Sequence, residues 1–235
     1  MKKLIIILFF NSLYSQKNIE VNYKVNFIIN ENDNVIVKKY TNIAKENEEN
    51  LNFTLLANNN YAKFYFDFKS IGLNKNLKIA LAIAGFQNQD IYQDNKLKQQ
   101  IKNSPNDPRK FKENEFLIIS NIFSDWELVN ETKNISGYLC YKANGIIKTN
   151  NETKPTETIQ AWYCPDINYS FGPLGFGGLP GLIFHLQIGN TNYFLNKIDF
   201  KDEIQEIIIP NSGLKVSQEE FDKILFERSQ KYIKQ

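Results

Sequence analysis

The chain has 235 residues, 42% of them hydrophobic, and its 28 Lys and Arg residues nearly balance its 26 Asp and Glu residues. A nearly neutral chain lacks the basic character expected of a nucleic-acid-binding protein or of a basic membrane-surface patch. A zinc site needs three or four clustered Cys, His or carboxylate ligands, and one His with two cysteines that are expected to pair in a disulfide does not supply them. We predict no metal and no cofactor.

The first fifteen residues have the pattern of a secretory signal peptide. Lys2 and Lys3 precede the apolar run Leu4–Phe10, which is too short to span a bilayer. A polar end follows, and we expect cleavage after Ser15, which leaves 26 basic and 26 acidic residues. We therefore expect residues 16–235 to be a single domain in the periplasm or medium, with no transmembrane segment after cleavage.

Strand patterns dominate the remaining sequence. Alternating apolar residues predict a strand over Ile19–Ile29, with Asn34–Tyr40 as its hairpin partner. A second hairpin is predicted from Leu51–Ala57 and Ala62–Phe68. Further strands are predicted at Phe116–Ser120, Trp126–Val129, Ile135–Ala143, Ile159–Cys164, Leu182–Ile188, Tyr193–Phe200 and Ile204–Ile209.

One helix is predicted, at the C-terminus. Ser217 and Glu220 form a capping box, and Phe221, Ile224 and Leu225 follow at helical spacing. Between Leu73 and Lys112 only an apolar patch, Ile79–Phe86, and an exposed loop, Ser104–Pro108, are assigned. These patterns predict a mainly β (α+β) fold, a curved antiparallel sheet with a C-terminal helix.

The two cysteines lie in predicted strands joined by a polar segment. A hairpin centred near Glu152 sets Cys140 opposite Cys164 and Lys142 opposite Trp162. In an exported protein this pairing favours a cross-strand disulfide. Two unlinked thiols are the alternative.

The segment Gly172–Ile183 has the most unusual composition of the chain, with five glycines and two prolines among large apolar residues. Glycine allows close approach of backbones and proline fixes φ, so the segment is a shaped apolar loop. It is either a buried loop that turns the chain into the next strand or an apolar surface for a ligand or partner. A phosphate-binding loop is excluded, because there is no Lys and a strand follows.

Several motifs in this half of the chain occur in a specific order. Gly178–Ile183 reads GLPGLI, and it is preceded by Trp126-Glu127-Leu128, Gly137–Ala143, Ala161-Trp162-Tyr163 and Gly172–Phe176. Over Trp126–Ile188 the chain resembles the GLPGLI proteins, a largely uncharacterised family of exported proteins of Gram-negative bacteria. The resemblance implies no activity. The predicted strand order is also similar to the half-barrels of periplasmic lipoprotein carriers, an analogy of fold that does not carry function.

The candidate binding residues come from these motifs. They are Trp126, Tyr138, Trp162, Phe171, Phe176, Leu179 and Pro180. The motif loop itself is shaped by Gly172, Pro173, Gly177, Gly178 and Gly181. Aromatic residues anchor protein cores as well as interfaces, so a core role is the alternative. His185 is expected on the more polar face of its strand with Ile183 and Gln187, and no nucleophile-elbow motif is present.

Three functions follow as hypotheses. The first is a non-enzymatic periplasmic binding or carrier module for an apolar ligand or lipid, which would be weakened if the protein's own side chains filled the concave face of the sheet. The second is an accessory interaction protein of an outer-membrane complex, with the Gly-rich loop as partner surface. The third is a hydrolase, which would need clustered carboxylates, or His185 with a Ser and a carboxylate, in one cleft. No nucleic-acid partner is expected.

Overall fold

The computed structural model describes residues 18–68, 72, 74–105, 107–147, 156–203 and 206–233. The predicted signal peptide and most of the hairpin tip between the cysteines lie outside the described residues. The strands are β1 (Asn18–Phe27), β2 (Asn52–Ala57), β3 (Tyr61–Phe66), β4 (Ile91–Asp94), β5 (Gln99–Asn103), β6 (Phe116–Asn121), β7 (Trp126–Ile135), β8 (Tyr138–Ile147), β9 (Glu157–Cys164), β10 (Leu182–Ile188), β11 (Thr191–Lys201) and β12 (Leu214–Ser217). The helices are α1 (Val35–Glu46), α2 (Lys75–Ile83) and α3 (Gln218–Ile233).

Over the described ranges the strands form one curved, unclosed sheet of twelve, in the order β12-β6-β5-β4-β3-β2-β1-β11-β10-β9-β8-β7. Neighbours pair antiparallel, except that β12 pairs parallel with β6. The predicted mainly β fold with a C-terminal helix is therefore confirmed. None of the described helices combines the length and apolarity needed to cross a bilayer.

The core lies on one side of the sheet, here called the inner face. On β1 every second residue from Ile19 to Phe27 is buried, as strand periodicity requires. The centroid of the Phe53 ring lies 5.2 Å from that of Phe64, 5.2 Å from that of Phe86 and 5.4 Å from that of Tyr193. The hydroxyl of Tyr193 donates a 2.6 Å hydrogen bond to the carbonyl of Ala84, directly after α2. Side chains and α2 thus fill the inner face.

The predicted strand Asn34–Tyr40 is wrong, because this segment opens α1. The Asn34 side chain caps the helix by accepting a 3.0 Å hydrogen bond from the Val37 amide. Val35 and Ile36 are 83% and 69% exposed. The β-branched run Val35–Val37 is typical of a strand. The Asn34 cap and the burial of Thr41 and Ala44, three residues apart, are typical of a helix.

Two other segments differ from the predictions. Most of the apolar patch Ile79–Phe86 lies in α2, which Asn74 caps through the Leu77 amide at 2.8 Å. The predicted strand Ile204–Ile209 is wrong for residues 206–209, which contain no regular structure. The final strand, β12, follows later in the chain.

The C-terminal helix confirms its predicted capping box. The Ser217 amide donates to Glu220 Oε2 at 2.8 Å, and the Glu220 amide donates to Ser217 Oγ at 3.2 Å. Phe221 is fully buried against Phe111 and Phe116. The helix therefore docks on β6 through a small aromatic core of its own.

Candidate functional site

The Gly-rich loop is built into the core. Of the predicted loop and site residues, Phe171, Gly172, Pro173, Gly177, Leu179 and Gly181 are buried, Phe176 is half-buried, and Gly178 and Pro180 are exposed. The sequence allowed two interpretations of this segment, a buried loop and an apolar surface. The structure agrees with the buried loop that leads into the next strand.

Side chains from distant strands hold the loop through its carbonyl groups. On β4, Gln93 Nε2 donates to the carbonyl of Gly175 at 2.9 Å, and on β5, Gln100 Nε2 donates to that of Leu174 at 2.8 Å. From the edge strand β7, Trp126 Nε1 donates to the carbonyl of Gly177 at 2.8 Å. The loop therefore crosses the inner face and connects two separated parts of the curved sheet.

Close backbone approaches explain two of the glycines. A Cβ atom at Gly177 would lie 2.5 Å from the carbonyl oxygen of Ser170. At Gly181, where φ is +149°, a Cβ atom would lie 2.1 Å from the carbonyl oxygen of Cys164. No larger residue fits either position without a shift of the backbone.

The predicted aromatic residues do not converge on one cavity. The ring of Trp126 lies 6.3 Å from that of Phe176 in the Gly-rich loop. Tyr138 packs against Phe184, with ring centroids 5.3 Å apart. On the opposite, outer face, Trp162 lies beneath the amino groups of Lys133 and Lys142, 5.7 and 5.9 Å from its ring centroid.

The predicted register of the cysteine hairpin is confirmed. Lys142 pairs with Trp162 across β8 and β9, which sets Cys140 opposite Cys164. The structure contains both cysteines as buried free thiols rather than as the predicted disulfide. Burial, and then the neighbouring Cys164, raises the pKa of Cys140 to about 12. Burial also raises the pKa of Cys164.

His185 lies on the outer face, where its Nε2 is 3.0 Å from Asn192 Oδ1. Burial lowers the pKa of His185. The prediction that Ile183 shares this face is wrong, because a β-bulge between Ile183 and His185 turns Ile183 into the core. Ser136 and His185 line a depression of about 540 Å³ that has no carboxylate in its described lining, so His185 does not meet there both a Ser and a carboxylate.

A cleft that the sequence did not predict lies between α2 and the segment 104–114, of which residues 104, 105 and 107–114 are described. Two cavities of about 560 and 620 Å³ adjoin there, and both are lined by Phe68, Asn88, Pro105 and Pro108. The first has an apolar wall of Phe68, Leu81, Ala82 and Phe86. The ring of Phe86 connects this wall to the aromatic core.

The second cavity carries two polar atoms that have no partner among the described residues. Gln89 is 8% exposed and its Nε2 forms no hydrogen bond, and Asn103 Oδ1 is also unpaired. The other end of the Asn103 amide is fixed, because its Nδ2 donates to Asn114 Oδ1 at 2.9 Å. Buried polar groups without partners are exceptional and cost about 1–3 kcal/mol each. The cleft thus combines an apolar wall with one donor and one acceptor that are buried just behind its lining, and a ligand reaches them only when the Gln89 and Asn103 side chains turn toward it.

The described residues contain no group of three or more His, Cys, Asp or Glu side chains placed to hold a metal ion. The cleft can bind a molecule by apolar contact and hydrogen bonds. Its described lining also includes Asp90 and Tyr92, which interact with each other and with Lys63.

Comparison with known proteins supports the fold and gives no activity. A family model described as "Protein of unknown function (Porph_ging)" matches residues 147–185, which include the loop Gly172–Ile183. The match is consistent with a resemblance to GLPGLI-like proteins and does not confirm that name. A search among curated proteins found no match.

Solved structures of PNGF-II, in space groups P21 and C2, are similar to this chain with TM-scores of 0.57 and 0.54 at 15% identity. Each similarity covers 90% of this chain, which spans only 34% and 33% of those chains. A LolA superfamily protein, NE2245 from Nitrosomonas europaea, aligns with 81% of this chain and 89% of its own, at 8% identity and a TM-score of 0.31. At these identities the PNGF-II structures show a shared fold alone.

Proposed function

We propose that the protein is an exported, non-catalytic binding module that holds an amphipathic small molecule in the cleft between α2 and the segment 104–114. The single observation that carries this proposal is the unpaired pair of polar atoms, Gln89 Nε2 and Asn103 Oδ1, at the end of an apolar wall. Export rests on the predicted signal peptide over residues 1–15.

We place the ligand in the cleft and not on the concave, inner face of the sheet. A carrier that cups its ligand against the sheet would need an empty inner face, and here Phe53, Phe64 and Tyr193 occupy it. The same burial limits the accessory-protein hypothesis, because the Gly-rich loop exposes Gly178 and Pro180 fully and Leu174 and Phe176 only in part. We therefore retain the carrier hypothesis and place its ligand in the cleft.

The two unpaired atoms define the polar part of the ligand. It must accept a hydrogen bond from Gln89 Nε2 and donate one to Asn103 Oδ1, and a carboxamide does both. A carboxylate could only accept. The described lining of the cleft carries three cationic and three anionic side chains, so its charges balance. They are Lys78, Arg109, Lys112, Asp90, Asp107 and Glu113. Arg109 Nε lies 3.0 Å from Asp107 Oδ1. A neutral amide on an apolar chain is the favoured ligand class.

Calorimetric titration with octanamide and octanoate tests the proposal. The protein should bind octanamide roughly 10-fold more tightly than octanoate, because an unmade buried hydrogen bond costs about 1–3 kcal/mol. Gln89→Leu should abolish that preference while leaving the protein folded, since it removes an unsatisfied buried amide. Gln230→Leu, at an exposed position of α3, is the matched control and should keep it.

Two results would overturn the proposal. One is the absence of octanamide binding at its solubility limit, and the other is equal binding by the unmodified protein and by Gln89→Leu. Native mass spectrometry of protein purified from its own cell envelope provides an independent check, because a small added mass released on denaturation identifies the natural ligand class.

A further inference from the structure

We infer a second binding site, on the outer face of the sheet, that recognises a chain of neutral sugars. It is separate from the cleft and does not depend on the proposed function. Its basis is a row of polar side chains in register across four adjacent strands. Glu127 pairs with Asn144, Asn144 with Gln160, and Gln160 with Gln187.

Register places these four side chains on one face. Directly opposed residues of antiparallel strands point to the same side of a sheet. On β9 the two neighbours of Gln160, Ile159 and Ala161, are buried on the inner face, so Gln160 points outward. The row continues with Asn192 on β11, opposite Gln187.

A shallow depression of about 520 Å³ lies over the row. Its lining includes all four side chains, together with Asp125 and Thr158. Among the described residues, Asp125, Glu127, Asn144 and Gln160 form no side-chain hydrogen bond with the rest of the protein. Gln187 uses only its Nε2, which donates to the carbonyl of Gly189 at 3.1 Å. The depression thus offers donors and acceptors that the fold does not consume.

The chemistry and spacing of the row match sugar hydroxyl groups. An amide both donates and accepts hydrogen bonds, a carboxylate accepts, and a hydroxyl does both. Neighbouring strands lie about 4.8 Å apart, a distance comparable with one hexose unit in an extended chain. A bound polypeptide strand would instead present side chains on one face about every 6.8 Å. The carboxylates of Asp125 and Glu127 disfavour phosphate groups and acidic polysaccharides.

The test is titration of the ¹⁵N-labelled protein with cellohexaose and mannohexaose, followed by NMR chemical shifts. We expect saturable shifts of the side-chain amides of Asn144, Gln160 and Gln187 with at least one of these sugars. The double variant Asn144→Ala with Gln160→Ala should weaken binding by roughly 10-fold or more. The matched control, Gln99→Ala with Asn121→Ala, removes another opposed amide pair, on β5 and β6, and should leave binding unchanged.

Glu127→Gln separates neutral sugars from a cationic partner. It keeps a hydrogen-bonding group in the row, so sugar binding should change by less than about three-fold. Tetralysine serves as the competing probe. The inference is overturned if neither hexasaccharide shifts the row amides at millimolar concentration, or if the double variant binds as well as the unmodified protein. It is also overturned if tetralysine binds more tightly than both sugars and loses that binding in Glu127→Gln.

Discussion

Trp126 Nε1 donates a 2.8 Å hydrogen bond to the carbonyl of Gly177, and so ties the outermost strand of the sheet to the loop on its inner face. Gln93, eight places away in the strand order, holds the same loop at Gly175. The two contacts make the Gly-rich segment a strut across the curved sheet. The glycines of the segment suit this structural role. Its backbone must pass close to the strands whose side chains bind its carbonyl groups, and glycine allows that approach.

Trp126→Phe should therefore destabilise the protein by about 1–2 kcal/mol, since the carbonyl of Gly177 loses its donor and ring area is lost as well. Urea denaturation followed by circular dichroism measures the change. Trp162→Phe, the matched control, lies on the outer face and should cost less. Equal losses in the two variants would contradict the strut.

Three glycine-to-alanine variants should form a graded series. At Gly72 an added Cβ would meet no described atom within 4 Å, so Ala should change stability by less than about 0.5 kcal/mol. Gly137 has open space but φ of +87°, so Ala should cost about 1–2 kcal/mol. Gly181 adds a backbone clash at 2.1 Å and should cost about 3 kcal/mol or more. Thermal unfolding gives the order, and a tolerated Gly181→Ala would contradict it.

Local signals predicted those parts of the fold that depend on neighbouring residues. The capping box of α3 and the register of the cysteine hairpin depend on short-range spacing, and both are confirmed. The strand prediction for Asn34–Tyr40 is wrong. Val35, Ile36 and Val37 favour a strand locally, but the Asn34 cap and the burial of Ala44 stabilise a helix.

The cleft could not be predicted from the sequence, for a different reason. Gln89 and Asn103 line the same cavity because β4 and β5 pair antiparallel, with Tyr92 opposite Ile101, which sets the end of β5 beside the start of β4. Neither strand was predicted, because their mixed polar and apolar residues do not alternate clearly. The candidate aromatic residues were chosen because they belong to the motif. In the structure the motif chiefly forms the strut, so most of these residues pack in the core and do not line a binding site. A pattern that is conspicuous because it is sterically demanding indicates packing as readily as binding.

Acid should release α3 from the sheet. Arg228 holds Glu115 through hydrogen bonds of 2.8 and 3.0 Å, and this contact lowers the pKa of Glu115 to about 2. Because the pKa is lower in the folded than in the unfolded protein, the stabilisation is complete above the unfolded value of about 4.3 and is lost as pH falls toward 2.

Glu115→Gln should flatten the pH dependence of the melting temperature between about pH 5 and 2. Glu206→Gln, at an exposed position, is the matched control and should leave that dependence unchanged. Hydrogen exchange of the α3 amides shows whether the acid-induced loss of stability begins at this helix. A pH profile of Glu115→Gln identical to that of the unmodified protein would exclude the ion pair as its cause.

The cysteine pair should oxidise during folding and resist oxidation afterwards. Only a thiolate attacks a disulfide reagent, and a Cys140 pKa of about 12 keeps that thiol protonated near pH 8. In the unfolded chain the pKa returns to about 8.5, and the thiols become reactive.

Folded, reduced protein should thus react with a disulfide reagent far more slowly than urea-unfolded protein at the same pH. Refolding with oxidised glutathione should yield a Cys140–Cys164 bond, detected by peptide mapping as a loss of two hydrogens. The oxidised form should be more stable by about 3 kcal/mol. Cys140→Ala, which cannot close the bond, should gain nothing from oxidation. Rapid reaction of the folded, reduced protein would show that burial does not protect the pair, and equal stability of the two redox forms would show that the bond does not constrain the unfolded chain.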